Sequence, residues 1–439
     1  MTSTLFRRLV VPLALTGLTA GLMGSAQASA ATTLYVAPSG SDANPGTASR
    51  PLRSVQRAVD LAGPGTTIRL QPGTYSGRVE IRKSGRAEAP ITITRAGAGA
   101  VTLTSSAPRA GCGATKPAYD RTITILGGAD YWRIDGLRIH NGIWIAGAES
   151  NAAFQWLNRL VQAGDWSTRR KVPGHGSYNP AAGRQAVDYL RKVTHAPAMN
   201  AADGIAITGN VLSGRGIYGA LTRYGRITGN RISDIDCGTG PGIWLMTFSH
   251  GWTISGNDIS RIARSSAKHY MQEGIRLGAA SNYSTISTNS VHDLPGDGRA
   301  YNTDVDASYN NFHHNRASGV AIGYNDQMSG WSNRWEHNSV SGYRTYGFGM
   351  RLMDGNLATP SRNSSSNGSI VRCNTATGAV GDAVALGAGS IMRSTFAANA
   401  FPTVWLSTNL RRYWGPQDNT WNGSPTPPPA APGGGSGGC

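Results

Sequence analysis

The sequence is short of acid: Lys and Arg number 41 against 24 Asp and Glu, the formal net charge is +17, and charged residues make up only 15% of the chain. That excludes an acidic tail or solvating acidic tract, and a surface this basic attracts polyanions. Cysteine is scarce too. Cys112, Cys237, Cys373 and Cys439 are all there is, and none has zinc-site spacing. Four thiols allow three pairings, and a single bridge among the first three is expected in an oxidising compartment. Long apolar runs are missing beyond residue 30. The run from Leu9 to about Leu22 follows Arg7-Arg8 and precedes small-x-small sites at Ala26-Gln27-Ala28 and Ala28-Ser29-Ala30. It is too short to span a bilayer and reads as a signal peptide over residues 1–30. The expectation is a secreted, extracellular monomer with no membrane partner. A basic-aromatic reading motif for nucleic acid is also lacking, so the expected polyanion is an anionic polysaccharide and not nucleic acid.

What the sequence does have is a recurring asparagine in the pattern apolar, two residues, Asn, one residue, apolar. It occurs as Ile207/Asn210/Leu212, Ile227/Asn230/Ile232, Ile254/Asn257/Ile259, Ile286/Asn289/Val291, Ala307/Asn310/Phe312, Trp335/Asn338/Val340, Val371/Asn374/Ala376 and Phe396/Asn399/Phe401. Asn-to-Asn steps run from 20 residues (Asn210 to Asn230) to 36 (Asn338 to Asn374), so the motif is fixed while the connections vary. Such a pattern marks a solenoid. Each copy reads as strand, corner, strand, with the Asn tolerating the left-handed backbone and bonding to the copies above and below. A second element, Gly followed by alternating residues, precedes most copies: Gly216-Ile217-Tyr218, Gly242-Ile243-Trp244, Gly274-Ile275-Arg276 and Gly319-Val320-Ala321. Period-two alternation puts Tyr218, Trp244, Arg276 and Ala321 outward on one face.

Helix pairs are excluded by the Gly, Asn and β-branched content, and the asparagine corner with variable loops favours an all-β, right-handed parallel β-helix over a propeller or sandwich. The domain reading is signal peptide 1–30, β-helix 31–422 and a Pro/Gly-rich linker or tail 423–439. Near the start, Pro51 opens an amphipathic helix with Leu52, Val55, Ala58, Val59 and Ala62 on one face, expected to cap the solenoid. Residues about 148–200 break the rhythm and read as a helical insertion. Cys439 is similar to the opening cysteine of a secreted carbohydrate-binding module.

The run Leu34-Tyr-Val-Ala-Pro-Ser-Gly-Ser-Asp-Ala-Asn-Pro-Gly-Thr47, with Pro51-Leu-Arg-Ser-Val, Pro64-Gly-Thr-Thr-Ile and Pro72-Gly-Thr-Tyr75, resembles the amino-terminal cap of secreted bacterial pectate-lyase-like β-helix proteins. That group contains family 9 pectate lyases, family 6 alginate and chondroitin lyases, and some glycosidases and epimerases. Gln272-Glu273-Gly274-Ile275-Arg276-Leu277-Gly278 is similar to a segment of the family 6 lyases, which implies roles for Glu273 and Arg276. Their downstream Glu-x-Glu and catalytic Lys are replaced here by the residues around Asp304 and Asp306.

Function in a β-helix lies along an exposed sheet, and Lys268 to Asp326 is the richest stretch. Elimination from a uronic-acid polymer needs a cation to neutralise the carboxylate, a base to take the adjacent proton, and a leaving glycosidic oxygen. Lys268 is the candidate base, His269 its substitute and Arg276 the carboxylate clamp. Tyr218, Trp244, Tyr324 and Arg351 are the candidate substrate-binding residues, the first two as stacking platforms. Asp304 and Asp306 lie two apart, as calcium ligands on one face of a strand should, with Asp297, Asn302 and Asp326 completing the shell; the cofactor considered is Ca2+. Two other readings stand beside the lyase. One is a glycoside hydrolase using paired carboxylates such as Asp234/Asp236, Asp304/Asp306 or Glu273 with Asp297. The other is a non-catalytic polysaccharide-binding solenoid.

Overall fold

The computed structural model describes residues 32–105, 121–150, 200–235, 240–263, 272–304, 307–327, 332–350, 368–389, 391, 393–407, 410, 414, 418–432 and 439. Residues 1–30, most of the expected insertion, and Lys268, His269, Asp306 and Arg351 lie outside them. Ala31–Cys439 form one compact unit.

That unit is a β-helix of three long parallel sheets, with 13, 10 and 11 strands. One coil illustrates the winding. Ala206–Thr208 lies in the first sheet, Gly209-Asn210 turns the corner, Val211–Ser213 lies in the second sheet, and Ile217–Ala220 lies in the third. Arg226–Thr228 then returns to the first sheet beside Ala206–Thr208. One α-helix, Val55–Leu61, occurs among the described residues. It begins later than Pro51 because Asp42 accepts hydrogen bonds from the amides of Arg53 and Ser54, holding them extended, and Ser54 then caps the helix at Arg57. Val55, Ala58 and Val59 bury against the first coils.

Like residues stack on like because strand pairing within the three sheets is parallel and in register. The first sheet's inward ladder runs Ile207, Ile227, Ile254, Ile286, Phe312, Trp335, Val371 and Phe396. The third sheet's runs Ile217, Ile243, Ile275, Tyr301, Tyr324, Phe348 and Leu386. Large residues are offset by small ones across the coil: where Phe312 and Trp335 stack at 4.1 Å, the second sheet offers Ala317 and Val340. Each fully buried side chain of this kind contributes about 1.5–3 kcal/mol.

The asparagine ladder is present but differs in two ways from the sequence expectation. The left-handed residue is the one before each Asn, with Thr288 at φ 53°, His314 at 55°, His337 at 53° and Cys373 at 56°, while Gly209, Gly229 and Gly256 fill the earlier coils. The Asn instead supplies hydrogen bonds. Asn315 Nδ2 donates to Ile286 O at 2.8 Å and to Asn338 Oδ1 at 3.0 Å, while its Oδ1 accepts from Asn289 N and Nδ2, both at 3.0 Å. The ladder member is therefore Asn315, in Phe312/Asn315/Ala317, and not Asn310. Both triplets have the same spacing, and Asn310 belongs to a second ladder, before the first sheet, where it accepts from Ser284 N and donates to Asn333.

Cys373 is joined to Cys439, not to Cys112 or Cys237, which lie outside the described residues. The Pro/Gly-rich tail is correspondingly no free linker: Val404 N donates to Ala430 O at 2.7 Å.

Candidate active site

The third sheet's outer face positions the candidate residues. One outward column reads Trp144, Tyr218, Trp244, Arg276, Asn302, Asn325 along successive coils. Ala321 is not in it; its coil contributes Asn325. From Glu273 onward the simple alternation of the strand is broken. A Cβ on Gly274 would meet Val291 Cγ1 at 2.4 Å and one on Gly323 would meet Val340 Cγ2 at 2.7 Å, so both positions face the core, as do the Ile275 and Tyr324 that follow them. Two successive inward residues leave the flanking pair outward, three apart. Glu273 and Arg276 thereby share one face, and so do Arg299 and Asn302.

They meet there. Arg276 Nη1 donates to Glu273 Oε2 at 2.8 Å, and Nη2 to Asp304 Oδ2. Asn302 Nδ2 donates to Glu273 Oε1 at 2.8 Å, Arg299 Nη1 lies 3.8 Å from the same oxygen, and Asn325 Nδ2 donates to Asn302 Oδ1 at 2.5 Å. Arg276 also sits over the Trp244 ring, 5.1 Å from its centroid, and Trp244 meets Tyr218 edge-on at 5.4 Å. Glu273 has no solvent exposure and Asp304 only 6%. Burial pushes the Glu273 carboxyl above its ordinary pKa despite Arg276 and Arg299. Burial also opposes the Arg276 charge, but Glu273 and Asp304 outweigh it and hold the guanidinium above its usual value. Trp244 Nε1 and Asp304 Oδ1 are buried without a hydrogen-bond partner among the described residues. Both flank Gly278, whose ideal Cβ would lie 3.7 Å from Trp244 Nε1 and from Asp304 Cβ. A donor and an acceptor thus remain unspent beside the cluster. The polar groups of this face are packed and buried, and one hollow lies elsewhere, between Asp42, Arg53 and Arg78 at the first coils.

Several expected residues are placed differently. Tyr324 is fully buried, its hydroxyl donating to Asn315 O and Ser339 O and its ring stacked on Tyr301 at 4.9 Å, because it occupies the second of the two inward positions. Tyr218 does lie in the outward column, but it is fully covered, with the Arg121 guanidinium 4.4 Å over its ring; burial raises its hydroxyl's pKa. Trp244 is half-buried. The calcium set does not assemble: Asp326 turns to the core side and accepts from Thr303 Oγ1, Asp304 is taken by Arg276, and Asp297 stands exposed in the turn before Arg299. Among the described residues no three His, Cys, Asp or Glu side chains converge on a metal-sized site, and a guanidinium already occupies the cation's place beside Asp304. These residues do not fit Ca2+. For the hydrolase reading, Asp234 is held by Arg261 at 2.8 Å, which lowers its pKa to about 2, within the second-sheet strand Arg231–Ile235 and away from the third sheet.

Arg299 and Asn325 were not anticipated. Their signal is the repeated tetrad of outward, small, apolar, outward: Glu273-Gly274-Ile275-Arg276, Arg299-Ala300-Tyr301-Asn302 and Ile322-Gly323-Tyr324-Asn325.

The described residues thus define a parallel β-helix. Residues 34–223 match the family model described as the Pel9A-like, right handed beta helix region. The chain is 34% identical over 152 residues to pectate lyase PEL9 of Emericella nidulans, covering 33% of this chain and 37% of that protein. It is 29% identical over 160 residues to pectate lyase L of Dickeya chrysanthemi, covering 33% and 34%. Among solved structures, pectate lyase Pel9A superposes with a TM-score of 0.46 at 13% identity, covering 86% of this chain and 78% of that one. XylC in complex with xylose gives 0.49 at 12%, covering 84% and 75%. The chain spans about a third of the length of the curated relatives it matches. The matched region ends at Arg223, before Glu273, so the cluster rests on its own geometry. No helix among the described residues is long and apolar enough to cross a membrane.

Proposed function

We propose that this protein is a secreted polysaccharide lyase that cleaves a uronic-acid polymer, such as pectate or alginate, by β-elimination on the outer face of the third sheet. The observation that supports it most is the Glu273–Arg276–Asp304 cluster, in register with Trp244 and flanked by Arg299. In this reading Arg276 and Arg299 draw charge from the substrate carboxylate, which makes the neighbouring carbon acid removable. The base takes that proton, the glycosidic C–O bond breaks, and the double bond forms between the two carbons. Lys268, with His269 as substitute, is the proposed base, on the segment that leads into Glu273–Leu277. Asn302 orients Glu273, and the unspent Trp244 N–H and Asp304 oxygen receive substrate hydroxyls. The Val55–Leu61 helix is proposed as the solenoid's amino-terminal cap, and residues 1–30 as its secretion signal.

One observation favours a second reading. Two neighbouring carboxyls, one of them with its pKa raised by burial, form the acid–base arrangement of glycosidases, which supports Glu273 and Asp304 as the pair of a hydrolase. The test is a panel of polygalacturonate, alginate and glycosaminoglycans, with and without chelator, read by ultraviolet absorbance and reducing ends. A lyase gives both signals from the wild type and neither from Arg276→Gln. Reducing ends without absorbance refute the lyase in favour of the hydrolase. Neither signal on any polymer, with binding retained, refutes both.

A further inference from the structure

The corner between the third and first sheets carries side chains that the candidate site does not use. Arg133, Ala206, Arg226, Thr253, Thr285 and Asn311 are register partners along the first sheet. Two residues before each stand Tyr131, Gly204, Tyr224, Gly251, Tyr283 and Tyr309, every one left-handed, with φ of 54°, 65°, 55°, 68°, 56° and 58°. Glycine takes that backbone without cost and a bulky residue does not. Gly204 and Gly251 show that the corner closes with glycine, so tyrosine stands there against local preference. Strain kept at repeated positions points to a use for the side chain.

The spacing points the same way. From Tyr131 to Tyr283 the rings recur on every second coil, about 10 Å apart at roughly 4.8 Å per strand, on the order of a disaccharide's length. The intervening glycines make room: a Cβ on Gly204 would meet Tyr131 Cδ1 at 2.5 Å, and one on Gly251 would meet Tyr224 Cδ1 at 2.8 Å. Tyr283 stacks on Tyr309 at 5.0 Å, and Tyr224 and Tyr283 are 57% and 41% exposed. Arg133 and Arg226, exposed beside the rings, repeat with the same two-coil period.

We propose that this corner is a second polysaccharide site, a track that holds one polyuronate strand parallel to the coil axis. The tyrosine rings take the apolar faces of pyranose units, and Arg133 and Arg226 take their carboxylates. The choice of polymer rests on the function proposed above; the site itself does not.

The test is native gel electrophoresis through polygalacturonate or alginate, together with thermal unfolding, on Tyr224→Gly/Tyr283→Gly. Because the register neighbours are glycine, this double variant is expected to unfold no earlier than wild type, to lose at least about tenfold in polymer affinity, and to keep its turnover of short oligosaccharides. Arg226→Gln is expected to weaken retention at low salt more than at high salt. Undiminished retention of both polymers by the double variant overturns the track. So does a lowered unfolding temperature with retention unchanged, which assigns the rings to packing on His250, whose ring lies 4.8 Å from that of Tyr224 and 6.0 Å from that of Tyr283. If retention falls in the variant while wild type cleaves no polymer, the track stands and the lyase reading fails, so the two failures are distinct.

Discussion

Replacing Arg276 with Gln removes the cation held between two buried carboxylates. In the native cluster its guanidinium bonds to Glu273 at 2.8 Å and to Asp304, with Glu273 wholly out of solvent. Each contact is worth about 4 kcal/mol of Coulomb energy at an effective dielectric of about 20, most of it offset by desolvation. Removing one partner of such a buried pair costs about 3–5 kcal/mol, because a charge is left uncompensated. Arg299 at 3.8 Å and the Asn302 amide at 2.8 Å still attend Glu273, which places the expected loss at the lower end, about 3 kcal/mol near pH 7. The loss should depend on pH, and its sign follows from Glu273. Its folded pKa already lies above the unfolded value and rises further without Arg276. The folded state then binds the proton more tightly than the unfolded chain does, so stability falls as pH rises through the folded pKa and recovers below it. Urea unfolding of wild type and Arg276→Gln at about pH 7 and about pH 4.5 measures this, and the deficit should shrink in acid. Adding Glu273→Gln to the variant should recover part of it at neutral pH. A deficit under about 1 kcal/mol, or one equal at both pH values, would show that Arg276 does not hold this cluster together.

Four further outcomes are expected. Asn315→Ala deletes four ladder hydrogen bonds and strands the Asn289 amide, so its denaturation midpoint should fall by the equivalent of about 2–4 kcal/mol; a loss no larger than that of an exposed threonine on the same coil contradicts the ladder. Gly274→Ala drives a methyl against Val291 and the Ala300 carbonyl, costing about 1–3 kcal/mol and displacing Glu273, so activity and unfolding temperature should drop together. His292 is partly desolvated, which opposes its charge, but Asp293 and Asp258 outweigh this and raise its pKa; the stability it lends is present below the unfolded pKa and is lost as pH rises through the folded one. His292→Gln should therefore flatten the pH dependence of unfolding through neutrality, and an unaltered profile tells against the bridge. Trp244→Phe keeps the ring face toward Arg276 and removes an unspent N–H; stability should hold or rise while KM increases up to about tenfold, and an unchanged KM denies that N–H to the substrate.

The coil pattern was legible because burial and register speak through short, repeated spacings. Ile207, Asn210 and Leu212 identify a corner from residue type alone, and parallel stacking repeats it along the chain. Two things were not legible. Asn310 and Asn315 stand in triplets of identical spacing, and only pairing partners tell which ladder each joins. On the third sheet, strict alternation makes Glu273 and Arg276 face opposite ways, whereas the paired inward residues Gly274 and Ile275 bring both out. The same break sends Tyr324 to the core, where a tyrosine read from composition alone looks like a sugar platform. The described aspartates of the calcium set, Asp297, Asp304 and Asp326, do not converge for a related reason: Asp304 and Asp326 sit near third-sheet strand ends on adjacent coils, but one faces Arg276 and the other Thr303.

The cluster itself argues for function on energetic grounds. The outward face of a solenoid strand can be filled at no cost by threonine or serine, as the first sheet does with Thr208, Thr228, Ser255 and Ser287 in register. The third sheet instead buries Glu273, Arg276 and Asp304 together. Two apolar or small polar residues of similar volume in place of a buried ion pair are commonly neutral or stabilising, by about 1–4 kcal/mol. An unspent indole N–H and an unspent carboxylate oxygen beside the same glycine add to the cost without helping the fold. Local rules broken together at one place, a buried charge network beside two unspent polar atoms, are the signature of a site shaped for something other than stability. Those broken rules all fall on the face where the aromatic column meets the arginines, and there a polymer lying along the coil axis would pass from stacking surface to charge.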